Sequence, residues 1–285
     1  LRNMVNENGV SSGMVKALDA GKLNIVVAHS LEAKPLIALF NLEKVTDHTA
    51  FPIYKNDKGI SLVLSGMGKA AATDASNYLG TRLEPELISA WLNIGIAGHR
   101  SAAIGTGLLA SKITEKATGD VFYPGMLISG YDSSPVITVD EIEKEYDEDV
   151  AYEMEASGFY RAAQALSSSE FVQTFKIISD NRDNHVDQIN LQNIPGMIER
   201  QGSRILELVG DLLDLLDTHN SRHRLPKVFG YLESAYKLTV TQRIQLKRHC
   251  QRFQAQDKNG LLEELSKKNY HSTKQLLSVL EKTLD

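Results

Sequence analysis

The chain has 285 residues, 42% hydrophobic and 24% charged, which excludes collagen-like, low-complexity and wholly disordered proteins. Its single cysteine, Cys250, excludes an internal disulfide and a cysteine-rich zinc site. The formal net charge of −5 conceals a split: residues 221–285 carry 13 basic against 6 acidic residues (+7), and residues 1–220 carry 18 against 30 (−12).

Residues 1–22 are a polar lead rich in Gly, Ser and Asn, with no basic-then-apolar leader, and carry no functional claim. From residue 23 the pattern changes. Residues 23–28 (LNIVVA) are a fully apolar run expected to be a buried strand. A helix is expected over 32–41 with Pro35 in its first turn. A second strand over 60–64 leads into Ser65-Gly66-Met67-Gly68-Lys69 and an Ala-rich helix over 70–79. Further apolar runs over 87–96, 108–113 and 135–139 read as strands. A helix is expected over 152–166, a strand over 175–179 ending at Asp180, and one amphipathic helix from Pro195 to about Leu216. Alternation of strands and helices over 23–216 predicts a three-layer α/β fold, a mostly parallel sheet covered on both sides. Three or four short helices without a strand are expected over 221–285, with capping boxes at Thr239–Gln242 and Ser272–Gln275. The domain reading is therefore 1–22, 23–220 and 221–285. No apolar run reaches the ~18 residues of a membrane span, so a cytoplasmic protein without a membrane partner is expected.

In α/β folds ligands sit at the carboxyl ends of strands. The strand–Gly66-x-Gly68–helix turn lacks the third glycine of the dinucleotide fingerprint and fails the P-loop pattern. It is either a tight turn or a backbone close to a phosphate or sugar. Ala97 and Gly98 close the third run, where small residues admit a ligand or another backbone. Glu32, Glu155 and Asp180 stand at the ends of sheet elements, a placement that suits acid–base work in one crevice. Each also has a structural role open to it: Glu32 and Glu155 at helix N-termini, Asp180 in a turn. The histidines show no HxH or HExxH spacing and no GxSxG occurs, so neither a metal centre nor a serine hydrolase is expected.

Four ordered segments resemble the nucleoside phosphorylase/nucleosidase superfamily, in particular its methylthioadenosine/S-adenosylhomocysteine nucleosidase branch. They are Val26-Val-Ala-His-Ser-Leu-Glu32-Ala-Lys-Pro-Leu36, Ser65-Gly-Met-Gly-Lys69, Asn93-Ile-Gly-Ile-Ala-Gly98, and the pair Glu153-Met-Glu-Ala156 and Ile178-Ser-Asp-Asn-Arg-Asp183. The resemblance spans residues 23–216 and implies a single α/β domain around a twisted mixed, mostly parallel sheet, and cleavage of an N-glycosidic bond through an oxocarbenium-like transition state. It implies Asp180 as general acid to the leaving purine, Glu155 on the ribose hydroxyls, Met154 under the sugar, and Glu32 on the attacking water. Ser179 and Asp183 flank the acid; Gly66, Gly68, Ala97 and Gly98 line the substrate. No cofactor is implied; phosphate would be a co-substrate only of a phosphorylase. Arginines that hold phosphate in phosphorylases are missing from the two matching turns, Lys34 and Arg100 being the nearest cations, so hydrolysis is expected over phosphorolysis. A nucleoside-binding protein without turnover is the third reading. Only 56 residues separate Gly98 from Glu155, and the base-stacking aromatic is not recognisable among them, with Phe122 and Tyr123 as candidates. The basic segment, with Arg243, Lys247, Arg248 and Arg252 near i,i+4 spacing, fits a solvated cap, an inter-subunit contact or an anionic-partner surface. The resemblance implies a homo-oligomer, which favours the second; a nucleic-acid partner is not expected.

Overall fold

The computed structural model describes residues 23–46, 49–82, 88–223 and 225–284; the 1–22 lead and the first residue of the 87–96 run lie outside them. The chain divides into two units, Leu1–Asp217 and Thr218–Asp285.

The first unit runs β1 (Leu23–Val27), α1 (Ser30–Leu39), β2 (Glu43–Lys44), β3 (Ile53–Lys55), β4 (Ile60–Leu64), α2 (Lys69–Gly80), β5 (Ala90–His99) and β6 (Gly107–Glu115). It continues through β7 (Val121–Phe122), β8 (Ser133–Thr138), β9 (Ala151–Glu153), α3 (Ala156–Ala163), β10 (Val172–Asn181), α4 (Ile194–Arg200) and α5 (Gly202–His223), whose residues from Thr218 on are counted with the second unit. β4, β1, β5 and β10 pair parallel in that order, so their carboxyl ends share one edge. All five residues of β1 are buried because both its faces are covered. Leu23, Ile25 and Val27 face a core with α1, α4 and α5. Val26 faces another with Ala72, Ala75 and Leu79 of α2 and Phe159 and Tyr160 of α3.

The sheet departs from a mostly parallel one. Among the described residues five of its ten pairings are parallel. β10 also pairs antiparallel with β6, β6 parallel with β8, and β8 parallel with β9. β9 then returns antiparallel to the end of β5, with Tyr152 opposite Gly98. The strands β5, β10, β6, β8 and β9 thereby close on themselves, which leaves that part of the sheet without a free edge.

Three helix expectations change. α1 begins at Ser30, so Pro35 lies inside it rather than in the first turn; with no N–H it leaves one carbonyl of the preceding turn without its helical donor. The 152–166 segment starts as β9 and becomes helical only at Ala156. The helix expected from Pro195 is two, broken at Gln201, although Ile198, Ile205, Leu208, Val209, Leu212 and Leu216 are all buried as its stripe requires.

α2 and α3 pack closely through small side chains. A Cβ on Gly158 would lie 2.0 Å from the Lys69 carbonyl oxygen, a backbone atom that cannot swing away. Gly158→Ala should therefore cost about 2 kcal/mol and lower the thermal midpoint by about 5 °C. An unchanged melting curve would rule out this close approach.

The second unit contains α6 (Lys227–Ala235), α7 (Val240–Ala255), α8 (Asn259–Ser266) and α9 (Thr273–Leu284). Its core gathers Phe229, Leu232, Leu246, Cys250, Phe253, Leu262, Leu276 and Leu280. Thr239 and Gln242 form the expected capping box on α7. At α9 the box is half formed: Ser272 Oγ accepts from the Gln275 N–H, but the Gln275 side chain reaches His271 N. Among the described residues no helix is long and apolar enough to cross a membrane.

Candidate active site

β1 ends at the shared carboxyl edge and turns at His29 into α1. His29 Nδ1 accepts from the Leu31 N–H, and Glu32 Oε2 accepts from the His29 N–H at 2.9 Å. The other carboxylate oxygen leaves the helix: Oε1 accepts from the Ile96 N–H of β5 at 2.9 Å. Glu32 is thus both a helix cap and a bridge to the neighbouring strand end, and it is buried. Gly95 makes room for it, since a Cβ there would sit 2.9 Å from Glu32 Oε1.

At the end of β4 the chain turns through Gly66 and Gly68, both at positive φ (+86° and +92°) that side chains rarely adopt. The Gly68 N–H donates to Glu155 Oε1 at 2.8 Å, two residues past the end of β9. Glu155 is the N-cap of α3 and is 8% exposed. Met154 beside it is half-buried against Tyr146 and Tyr152.

Lys176, in the middle of β10, joins these pieces. Its ammonium lies 2.8 Å from Glu153 Oε2 and 3.8 Å from Glu155 Oε2, and it sits beside Glu32 across Gly95. Glu153 is held by Thr138 Oγ1 and by the N–H groups of Glu155 and Ala156. Burial works against the Lys176 charge, but Glu153, Glu155 and Glu32 outweigh it and keep the ammonium above its usual range. One ammonium stands among three buried carboxyl groups, and two of these are raised above the usual carboxyl range. Burial raises Glu32, with Lys176 and the Ile96 and His29 N–H groups opposing. Burial pushes Glu155 up to about 7, with Lys176 opposing and Glu153 adding to the rise.

This has a consequence for stability. Unfolded Glu155 releases its proton near 4.5, whereas folded Glu155 keeps it to about 7. Between those values the native state binds the extra proton, so stability falls as pH rises through the window, by roughly 3 kcal/mol in all, and levels off above it. Thermal midpoints measured from pH 4.5 to 8 should follow that decline, and Glu155→Gln should flatten it. A level wild-type profile would contradict the buried cluster.

Asp180 lies further along β10, opposite Gly98. The register shifts between Ile178 and Asp180, and Ser179 is the extra residue. Such bulges re-aim side chains. Ser179 Oγ donates to the Ala97 carbonyl oxygen at 3.3 Å or to Asp180 Oδ1. Asp180 Oδ2 accepts from the Tyr146 hydroxyl. Gly98 is required here, because a Cβ would lie 2.5 Å from Asp180 Oδ2 and 2.6 Å from Tyr146 Cε1. Burial and the Asp180 carboxylate both raise the Tyr146 phenol above its usual range.

Glu32, Gly66, Gly68, Ala97, Gly98, Met154, Glu155, Ser179 and Asp180 therefore gather at one edge of the sheet. Asp183 is exposed, and only its backbone N–H is tied in, to Asn181 Oδ1. Lys34 and Arg100 are exposed, Arg100 donating to the Asp147 carbonyl oxygen. Phe122 packs on Tyr160 at 5.6 Å and Tyr123 is 67% exposed, so neither ring joins the carboxylates. Sequence reasoning did not single out Lys176, Glu153 or Tyr146 for this site. The one signal for Lys176 is a charge inside an apolar strand. Among the described residues no group of three His, Cys, Asp or Glu side chains is placed to hold a metal.

No family model and no curated protein matches the chain. Solved structures do. The 5′-methylthioadenosine nucleosidase of Arabidopsis thaliana matches at TM-score 0.56 and 16% identity, over 67% of this chain and 96% of that one. The methylthioadenosine/S-adenosylhomocysteine nucleosidase of Campylobacter jejuni matches at TM-score 0.54 and 18% identity, over 67% and 99%. The corresponding enzyme of Streptococcus pneumoniae, solved with a transition-state inhibitor, matches at 0.52 and 20%, over 67% and 99%. Two thirds of the chain therefore carry the fold of the methylthioadenosine/S-adenosylhomocysteine nucleosidases, as the four ordered segments led us to expect.

Proposed function

We propose that the protein hydrolyses the N-glycosidic bond of a purine nucleoside. The observation that carries this reading is the placement of Glu32, Glu155 and Asp180 at the shared strand ends, the two glutamates beside the buried Lys176 and Asp180 opposite Gly98. Breaking the bond builds positive charge on the sugar and negative charge on the base. Glu155 stands by the sugar hydroxyls, and once ionised, above about pH 7, its charge favours the cation. Asp180 gives the base its proton. Glu32, fixed through both oxygens, directs the water. Water is favoured over phosphate because the cations nearest the two turns, Lys34 and Arg100, are exposed, and Lys176 is already paired with Glu153. The protein acts on a small-molecule nucleoside in the cytoplasm as a homo-oligomer, the +7 helical unit of one copy meeting the −12 body of another.

The test is release of free base from a panel of purine and pyrimidine nucleosides, with and without phosphate. Release without phosphate is expected. Release only with phosphate would make the protein a phosphorylase; binding without any product would make it a nucleoside-binding protein.

A further inference from the structure

Asp180 offers two carboxylate oxygens, and hydroxyls take both: Ser179 donates to Oδ1 and Tyr146 to Oδ2. Asp180 is 4% exposed, and the Tyr146 hydroxyl occupies the oxygen that Ser179 does not take. Ser179 has a second acceptor on its own ladder, the Ala97 carbonyl oxygen. Tyr146 instead comes in from residues 139–150, a segment crowded with Asp and Glu. It is the one aromatic in that segment and is fully buried beside Val139, Val150 and Tyr152. Its backbone sits at φ +49°, a left-handed conformation that bulky side chains rarely adopt. Such strain persists only where the surroundings impose it, and it collects at clamps and switches. Elsewhere the segment is held by ion pairs (Lys144–Asp187 and Lys69–Asp140 at 2.8 Å, Lys116–Glu143 at 2.9 Å) and by single hydrogen bonds, Arg100 to the Asp147 carbonyl, Arg182 to the Glu145 carbonyl and the Glu148 N–H to the Tyr152 hydroxyl.

We infer that Tyr146 is a latch on the acid: residues 139–150 close the site by seating the Tyr146 hydroxyl on Asp180 Oδ2, and the base of an incoming nucleoside displaces it to take the same oxygen. The inference rests on the reading of Asp180 as the general acid. The displaced group is a planar six-membered ring with one polar edge atom. The occupant it makes way for is a planar heterocycle with a hydrogen-bonding ring nitrogen. Tyr146 is thus a positioning residue; it holds Asp180 at rest and takes no part in the bond cleavage.

The experiment has two arms, both on the full chain. Hydrogen exchange without ligand compares wild type with Tyr146→Phe, Asp180→Ala and the double variant. Loss of the hydroxyl should speed exchange within 140–150 about tenfold, and the double variant should be no faster than Asp180→Ala alone. Exchange unchanged by Tyr146→Phe would overturn the latch. In the second arm, Tyr146→Phe should lower KM for a cleaved nucleoside several-fold and leave kcat within about twofold. An unchanged or higher KM, or a collapse of kcat, would also overturn it. Faster exchange with no nucleoside cleaved by either protein would leave the closed segment standing and refute the nucleosidase reading. Unchanged exchange in an active enzyme would do the reverse.

Discussion

Asp180→Asn is expected to lower base release by about 10³-fold or more while leaving the fold intact. The asparagine oxygen can still accept from Ser179, and the Tyr146 hydroxyl can turn to accept from the amide. Packing around Gly98 is therefore preserved, and the thermal midpoint should stay within about 2 °C of wild type. What is lost is the proton for the departing base. Activity retained within tenfold would remove Asp180 from the chemistry.

Lys176→Met carries the largest expected effect on stability. Methionine matches the length of the lysine stem, so little volume is lost. Glu153, Glu155 and Glu32 are left in the interior without their cation, and breaking a buried pair in this way costs about 3–5 kcal/mol. Above pH 7 the thermal midpoint should fall by about 10 °C. The loss should shrink as pH falls below about 7, where folded Glu155 takes up its proton and no longer needs the cation. Lys176→Arg should recover most of the stability because it restores the charge. A Met variant as stable as wild type at pH 8 would show that the cluster holds no charge that Lys176 must balance.

The legible parts of the site share one property: they stand at the ends of apolar runs. β1, β4, β5 and β10 are parallel neighbours, so residues that end them meet at one edge whatever lies between them in sequence. That rule located Glu32, the Gly66 and Gly68 turn, Ala97, Gly98 and Asp180. Lys176 escaped it because its meaning depends on partners from β9 and α1, far away in the chain. Tyr146 escaped because an acidic run reads as solvated loop, and nothing local reports that its single ring turns inward. The closed sheet was illegible for a related reason. It depends on β9, three residues long, too short to show a period of two and continuous in sequence with the small residues of α3. The charge split and a run of short helices without strands marked the second unit in the sequence.

The most direct measurement of the hydrolytic reading is product analysis in ¹⁸O-labelled water without phosphate. Cleavage by a water held at Glu32 should yield free purine and a sugar carrying one ¹⁸O at its anomeric carbon, and Asp180→Asn should yield neither. Absence of base release, or release only as a sugar phosphate once phosphate is added, would contradict it.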